Sequence, residues 1–229
     1  MTRRVAISGE GHEPVSGLLI EPRDSWAMLI LAHGAGAPMT HPFMESMAEA
    51  LADSGVATLR YNFTYMDQGR RRPDHVKRLL PVVASAMHEG VQIAGSNPVF
   101  AGGKSMGGRM TSTYVSKGKY PNNLSGLVFF GFPLHPAGKP GISRAEHLAS
   151  VDIPTLFLQG TRDALAEVPL LEPTVHRLGD QATLHMVEAA DHSFKVLKRS
   201  GRTNDEVMDE LSNTATQWMR RIGAQERAE

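Results

Sequence analysis

Ser105, Asp163 and His192 follow one another in this chain in an order that suits covalent catalysis. A serine hydroxyl is a poor nucleophile until a base takes its proton and a third group orients that base. Ser105 sits in Gly103-Lys104-Ser105-Met106-Gly107, a Gly-x-Ser-x-Gly pattern. A β-prone run, Val99 to Gly102, precedes it, and a helix-compatible segment, Arg109 to Ser116, follows it. That context predicts a sharp strand-to-helix turn with the serine in a strained backbone conformation and its Oγ exposed at the edge of a sheet. Gly103 and Gly107 lack the Cβ that would clash where strand and helix nearly touch.

Asp163 ends Gly160-Thr161-Arg162-Asp163, just past the apolar run Thr155 to Leu158. His192 lies in Asp191-His192-Ser193-Phe194, just past Ala182 to Val187. Asp191 and Glu188 are rival carboxylates, but Asp191 would have to fold back on its neighbour to orient His192. A tetrahedral oxyanion needs two backbone donors. The N–H of Met106 is the expected first. The second is expected from His33-Gly34-Ala35-Gly36, with Ala35 favoured and Gly36 next. His33 itself reads as a brace for that loop.

These groups meet only if the chain builds one rim for them. Val5 to Ser8 and Val15 to Glu21 read as a hairpin-like pair of strands. Trp26 to Ala32 is continuously apolar, as a strand buried on both faces must be. A helix is predicted over Pro42 to Ser54 from Phe43, Met47 and Leu51, and a strand over Val56 to Tyr61. A polar loop, Asn62 to Pro73, comes next. Asp74 is expected to cap a helix that Pro81 interrupts and that ends near Gly90. After the elbow come a strand over Leu127 to Phe130, a Pro/Gly-rich loop, a short helix over Ser143 to Ser150 and a weaker helix over Pro169 to Leu178. Asp205 to Ile222 is amphipathic, with Val207, Leu211, Trp218 and Ile222 at helical spacing. Residues 223–229 read as a frayed tail.

After the opening hairpin, strands alternate with helices, which implies an α/β class with a mostly parallel sheet covered on both faces. Ligands bind such sheets beyond the carboxyl ends of the strands, where every cluster named above falls. The length, 229 residues, suits a single domain over 1–229.

Composition narrows the class. Lys+Arg and Asp+Glu are 24 each, so no net field points to nucleic acid or an anionic membrane. The absence of cysteine removes disulfides, thiolate catalysis and thiolate metal sites. His12, His41, His75, His88, His135, His147, His176 and His185 show no metal-ligand spacing, so neither a metal nor another cofactor is expected. No apolar run suits a secretory signal or a membrane span, and a cytoplasmic location is the default expectation.

The chain resembles the α/β-hydrolases, and within them the small, lid-poor serine hydrolases allied to dienelactone hydrolases and to the hydrolase-like domain of an NSL-complex subunit. The resemblance rests on His33-Gly34-Ala35-Gly36 with His41-Pro42-Phe43-Met44, on Arg60-Tyr61-Asn62-Phe63 and on Gly102 through Arg109. Gly131 through Pro136, Gln159 through Asp163 and Asp191 through Phe194 complete it. It implies an eight-stranded sheet without a large cap domain, a Ser-Asp-His triad and ester-bond hydrolysis. Serine replaces the cysteine nucleophile of dienelactone hydrolase, which sets that substrate apart.

The expected function is a serine hydrolase that cleaves an ester, thioester or similar acyl bond of a small-molecule substrate through an acyl-enzyme. The alternative is a non-catalytic scaffold or binding protein on the same fold. Acyl transfer would use the same residues. Arg70, Arg71 and Arg72 follow a strand at the catalytic edge and are candidate contacts for a substrate carboxylate or phosphate. Lys104 and Arg109 flank the nucleophile and read as structural ion-pair partners.

Overall fold

The computed structural model describes residues 2–225. It contains an eight-stranded sheet in the order β1-β2-β4-β3-β5-β6-β7-β8. The strands are β1 Thr2–Ile7, β2 Val15–Ile20, β3 Ala27–Ala32, β4 Val56–Tyr61, β5 Val99–Lys104, β6 Leu124–Phe130, β7 Thr155–Gly160 and β8 Ala182–Val187. β1 and β2 form an antiparallel hairpin, β2 pairs antiparallel with β4, and every other pairing is parallel. All six residues of β3 are buried, as are all seven of β6, because helices cover both faces.

The helices are α1 Pro42–Asp53, α2 Thr64–Asp67, α3 Val76–Ala94, α4 Met106–Val115, α5 Val168–His176 and α6 Asn204–Gln225. α1 and α6 pack on one face through Met44, Met47, Leu51, Leu211 and Trp218. α3, α4 and α5 pack on the other through Val83, Met87, Met110, Leu171 and Val175. Between β6 and β7 lie a loop and one 3-10 turn, Glu146–Ser150, so no cap domain covers the sheet edge.

Several boundaries differ from expectation, each for a tertiary or local reason. α3 is capped by His75, whose Nδ1 accepts from Lys77 N, because Asp74 is engaged with Arg70. Pro81 does not break α3. Burial of Leu79, Leu80, Val82, Val83 and Met87 outweighs the roughly 3 kcal/mol cost of an interior proline. The helix also passes Gly90 and stops at Gly95, which adopts φ 60°. The 62–73 loop contains the short α2. α6 continues past Ile222 to Gln225, with Gly223 buried beside Pro98. The expected fraying therefore does not apply to 223–225, and 226–229 lie outside the described residues.

The strand ends are held close by backbone contacts. A Cβ on Gly107 would lie 2.3 Å from Ala32 O, and one on Gly160 would lie 2.3 Å from Ala190 O. The first contact presses α4 onto β3, and the second presses β7 onto the loop after β8. That loop is stitched further by Arg162 N to Ala190 O, 2.9 Å, and Ala189 N to Thr161 Oγ1, 2.8 Å.

His33, at the end of β3, is buried and bridges to the end of β4. Its Nε2 accepts from Phe63 N at 3.1 Å, so the proton resides on Nδ1, which donates to Gly34 O at 2.7 Å. Burial lowers its pKa to about 4. The next turn of this loop is held from β4. Arg60, 1% exposed, donates through Nη1 to Met39 O at 3.2 Å, and Asn62 Oδ1 accepts from Met39 N at 2.8 Å.

Gly107→Ala should destabilise the fold by about 2 kcal/mol or more, because backbone on both sides must move. Denaturant titration of the purified variant checks this. His33 gives a pH signature. Its folded pKa, about 4, lies below its unfolded value near 6.5, so its contribution is complete above pH 6.5 and is lost as pH falls toward 4. The stability difference between wild type and His33→Gln should therefore shrink across that window, by about 3 kcal/mol at most. An unchanged difference between pH 7 and pH 4 would contradict the buried, neutral imidazole.

Candidate active site

Ser105 occupies the junction of β5 and α4 with φ 51° and ψ −114°. A left-handed backbone at a non-glycine residue costs on the order of 1–3 kcal/mol and persists only where surroundings enforce it. Here Ser105 N donates to Phe130 O at 3.1 Å and Ser105 O accepts from Arg109 N at 3.2 Å, which locks the turn from both sides. Met106 is the first residue of α4, so its N–H has no carbonyl partner within the helix.

The three widely separated residues meet above one rim. Ser105 Oγ lies 2.8 Å from His192 Nε2, and His192 Nδ1 lies 2.7 Å from Asp163 Oδ2. The Asp163 side chain is fully buried, whereas the His192 ring keeps 25% exposure toward a pocket. Asp163 accepts two further hydrogen bonds, from Gln159 Nε2 at 2.5 Å and Leu165 N at 2.8 Å. A carboxylate with three donors remains an acceptor, so His192 carries its proton on Nδ1 and presents a bare Nε2 to the serine hydroxyl. Asp191 does not compete for this role. Its Oδ1 accepts from Ser193 N at 2.8 Å and Lys195 N at 3.0 Å, which shapes the loop instead.

Lys104 and Arg109 depart from the expected ion pairing. Lys104 Nζ donates to His192 O at 2.5 Å and sits 5.0 Å from the Phe194 ring centroid and 5.7 Å from that of Phe43. Burial lowers its pKa to about 8, opposed by the charges of Asp163 and Asp191. Lys104 thus ties the end of β5 to the histidine loop by a backbone contact rather than a salt bridge. Arg109 lines a pocket and makes no ion pair with a described acidic residue; its Nε is buried without a hydrogen-bond partner. No sequence periodicity distinguishes these outcomes, because each depends on which loop arrives opposite.

Two pockets meet over Ser105 and share Ala35, Ser105 and Leu165 as lining. One, about 320 Å³, also has Phe43, Met44, Lys104 and His192 in its walls and is mainly apolar. The other, about 270 Å³, adds Met106, Arg109 and Arg144. Ala35 borders both, whereas Gly36 borders neither. Arg70 is exposed and forms a two-point pair with Asp74 at 2.9 and 3.0 Å. Arg71 and Arg72 are exposed as well, and none of the three lines either pocket. Asp74 and Pro73 form the wall at that side, so the loop presents backbone and a neutralised pair rather than free guanidiniums. Sequence reading named Arg60 and Asn62 only within a stretch that carries the family resemblance, with no role assigned, and did not single out Arg144 or Leu165. A charged residue inside the apolar strand Val56–Tyr61 was a usable signal for Arg60; Arg144 and Leu165 sit on loops and carried none.

Comparison with known proteins agrees with this fold. The family model described as an alpha/beta hydrolase domain matches residues 25–220. Among solved structures, a dienelactone hydrolase from Anabaena variabilis is 19% identical, with a TM-score of 0.75, and covers 96% of this chain and 97% of its own. A lid-free α/β serine hydrolase from Xanthomonas campestris is 18% identical with a TM-score of 0.73, covering 95% and 94%. Est1E from Butyrivibrio proteoclasticus is 13% identical with a TM-score of 0.70, covering 93% and 98%. At these identities the structural likeness speaks to the fold. With the family model spanning most of its length, the chain belongs to the α/β-hydrolase family.

Proposed function

We propose that this protein is a serine hydrolase of esters, thioesters or similar acyl bonds in small-molecule substrates. The observation that carries the reading is the continuous hydrogen-bonded chain from Ser105 through His192 to Asp163, at 2.8 and 2.7 Å, opening onto a pocket. In this reading His192 Nε2 takes the Ser105 proton as Oγ attacks the substrate carbonyl. The N–H groups of Met106 and Ala35 then hold the oxyanion. His192 returns the proton to the leaving group, and the acyl-enzyme forms. Water, deprotonated by His192, attacks that ester, and the acid leaves as Ser105 is reprotonated. Asp163 keeps the imidazole in its working tautomer and offsets the charge that His192 gains.

The open sheet edge and the apolar pocket of about 320 Å³ support a short or medium acyl or alcohol group rather than a buried long chain. A rival, non-catalytic scaffold would not require a strained serine, a bare imidazole nitrogen and a buried carboxylate in register, so the hydrolase reading is preferred.

A fluorophosphonate probe should label Ser105, as mapped by mass spectrometry, and neither Ser105→Ala nor His192→Ala should be labelled. Wild-type labelling at another residue, or undiminished labelling of Ser105→Ala, would defeat the proposal. On short p-nitrophenyl esters, Asp163→Asn should lower kcat by roughly 10²–10⁴-fold with little change in KM, because it disturbs the tautomer rather than the pocket. A loss confined to KM would assign Asp163 to binding.

A further inference from the structure

The second pocket over Ser105 has an electrostatic character that the hydrolytic machinery does not use. Arg109 and Arg144 both line it, together with Ala35, Ser105, Met106 and Leu165. Each is half-buried, and neither is in an ion pair with a described acidic residue. Arg144 spends Nη1 on the backbone carbonyl of His135 at 3.0 Å. Arg109 Nε is buried without a hydrogen-bond partner. Asp74 also reaches this pocket, but both of its oxygens are taken by Arg70. Burial lowers the pKa of both guanidiniums, and Arg109 is lowered further by the charge of Arg144. Two partly desolvated like charges lining one small cavity repel one another until an anion enters between them. Guanidinium suits a carboxylate or phosphate by its planar, two-point donor geometry.

Position ties this charge to the reacting centre. Arg109 follows Ser105 by one helical turn, a rise of about 6 Å along α4. An anion held there lies a few bonds from a carbonyl attacked by Ser105. The neighbouring apolar pocket takes the other side of the scissile bond. We infer that Arg109 and Arg144 form an oxyanion subsite, so that the substrate of the hydrolase proposed above carries a carboxylate or phosphate on one side of its acyl bond and an apolar group on the other. The turnover prediction rests on that hydrolase reading; the binding prediction does not.

Binding is tested on Ser105→Ala, titrated with benzoate and with phenyl phosphate and followed by calorimetry. At least one should bind, and affinity should fall about tenfold or more when Arg144→Met is added, with partial recovery in Arg144→Lys. The tighter of the two probes assigns the anion as carboxylate or phosphate. If Arg144→Met does not fold, Arg109→Gln carries the same comparison. Turnover is tested with two matched pairs: mono-p-nitrophenyl glutarate against p-nitrophenyl butyrate, and 3-acetoxybenzoate against phenyl acetate. The anionic member of one pair should show a higher kcat/KM, and the ratio should fall toward one in Arg144→Met. The responsive pair then tells which side of the bond the arginines face. Absence of binding by both probes, or binding that persists unchanged in the Arg144→Met and Arg109→Gln backgrounds, overturns the subsite. Binding with the expected arginine dependence in a protein that no fluorophosphonate labels supports the subsite and overturns the hydrolase reading alone.

Discussion

The left-handed backbone of Ser105 is the constraint from which the other distances are measured. At φ 51° the side chain is thrown clear of both β5 and α4. That conformation survives because α4 is pressed onto β3 and β5 at glycine contacts too close for any Cβ, and because hydrogen bonds from Ser105 N to Phe130 O and from Arg109 N to Ser105 O clamp the turn. The strain is local and its support is not. Since β5 pairs with β3 on one side and β6 on the other, the loop after β3 and the loops after β6 and β7 are brought to the same height above the sheet. The position of His192 then follows from the stitching of the β8 loop onto β7 through Thr161, Arg162 and Gly160.

Around this turn the polar groups divide by task. His33, Arg60 and Asn62 brace the loop that carries Ala35, each through a main-chain atom rather than a charge. Lys104 does the same for the histidine loop. Hydrogen bonds to backbone atoms fix geometry and satisfy main-chain groups that burial would otherwise strand. Arg109 and Arg144 line the pocket beside the nucleophile, although Arg144 also holds the His135 carbonyl through Nη1. The site therefore combines a buried carboxylate beneath the imidazole with two arginines lining the second pocket over Ser105.

Much of this was readable along the chain. β4 and β8 fall on their expected limits, and the hairpin, the parallel core and the order of the three polar residues follow from alternation and apolar runs. Three readings of local signals failed. Asp74 resembles a helix cap but is drawn away by Arg70, four residues earlier. Pro81 resembles an interruption, yet the buried face of α3 on the sheet outweighs one missing hydrogen bond. Gly223 resembles the start of a loose tail, yet α6 carries it against Pro98. At Pro81 and Gly223 a local preference of a few kcal/mol or less met a larger tertiary contribution, whereas at Asp74 the competitor is itself local.

What the residues alone determine are the features that depend on near neighbours. These are the strained turn at Ser105, the apolar strands that must be covered on both faces, and the placement of Asp163 and His192 just past such strands. Those properties arise from backbone sterics and from hydrophobic pattern, which act over a few residues. Only the folded chain decides that Arg144, on a loop 35 positions beyond Arg109, shares its pocket, and that Lys104 meets a carbonyl rather than a carboxylate. Long-range contacts between irregular segments leave no periodic trace, and the electrostatics of a site depend on which charges face one another after desolvation.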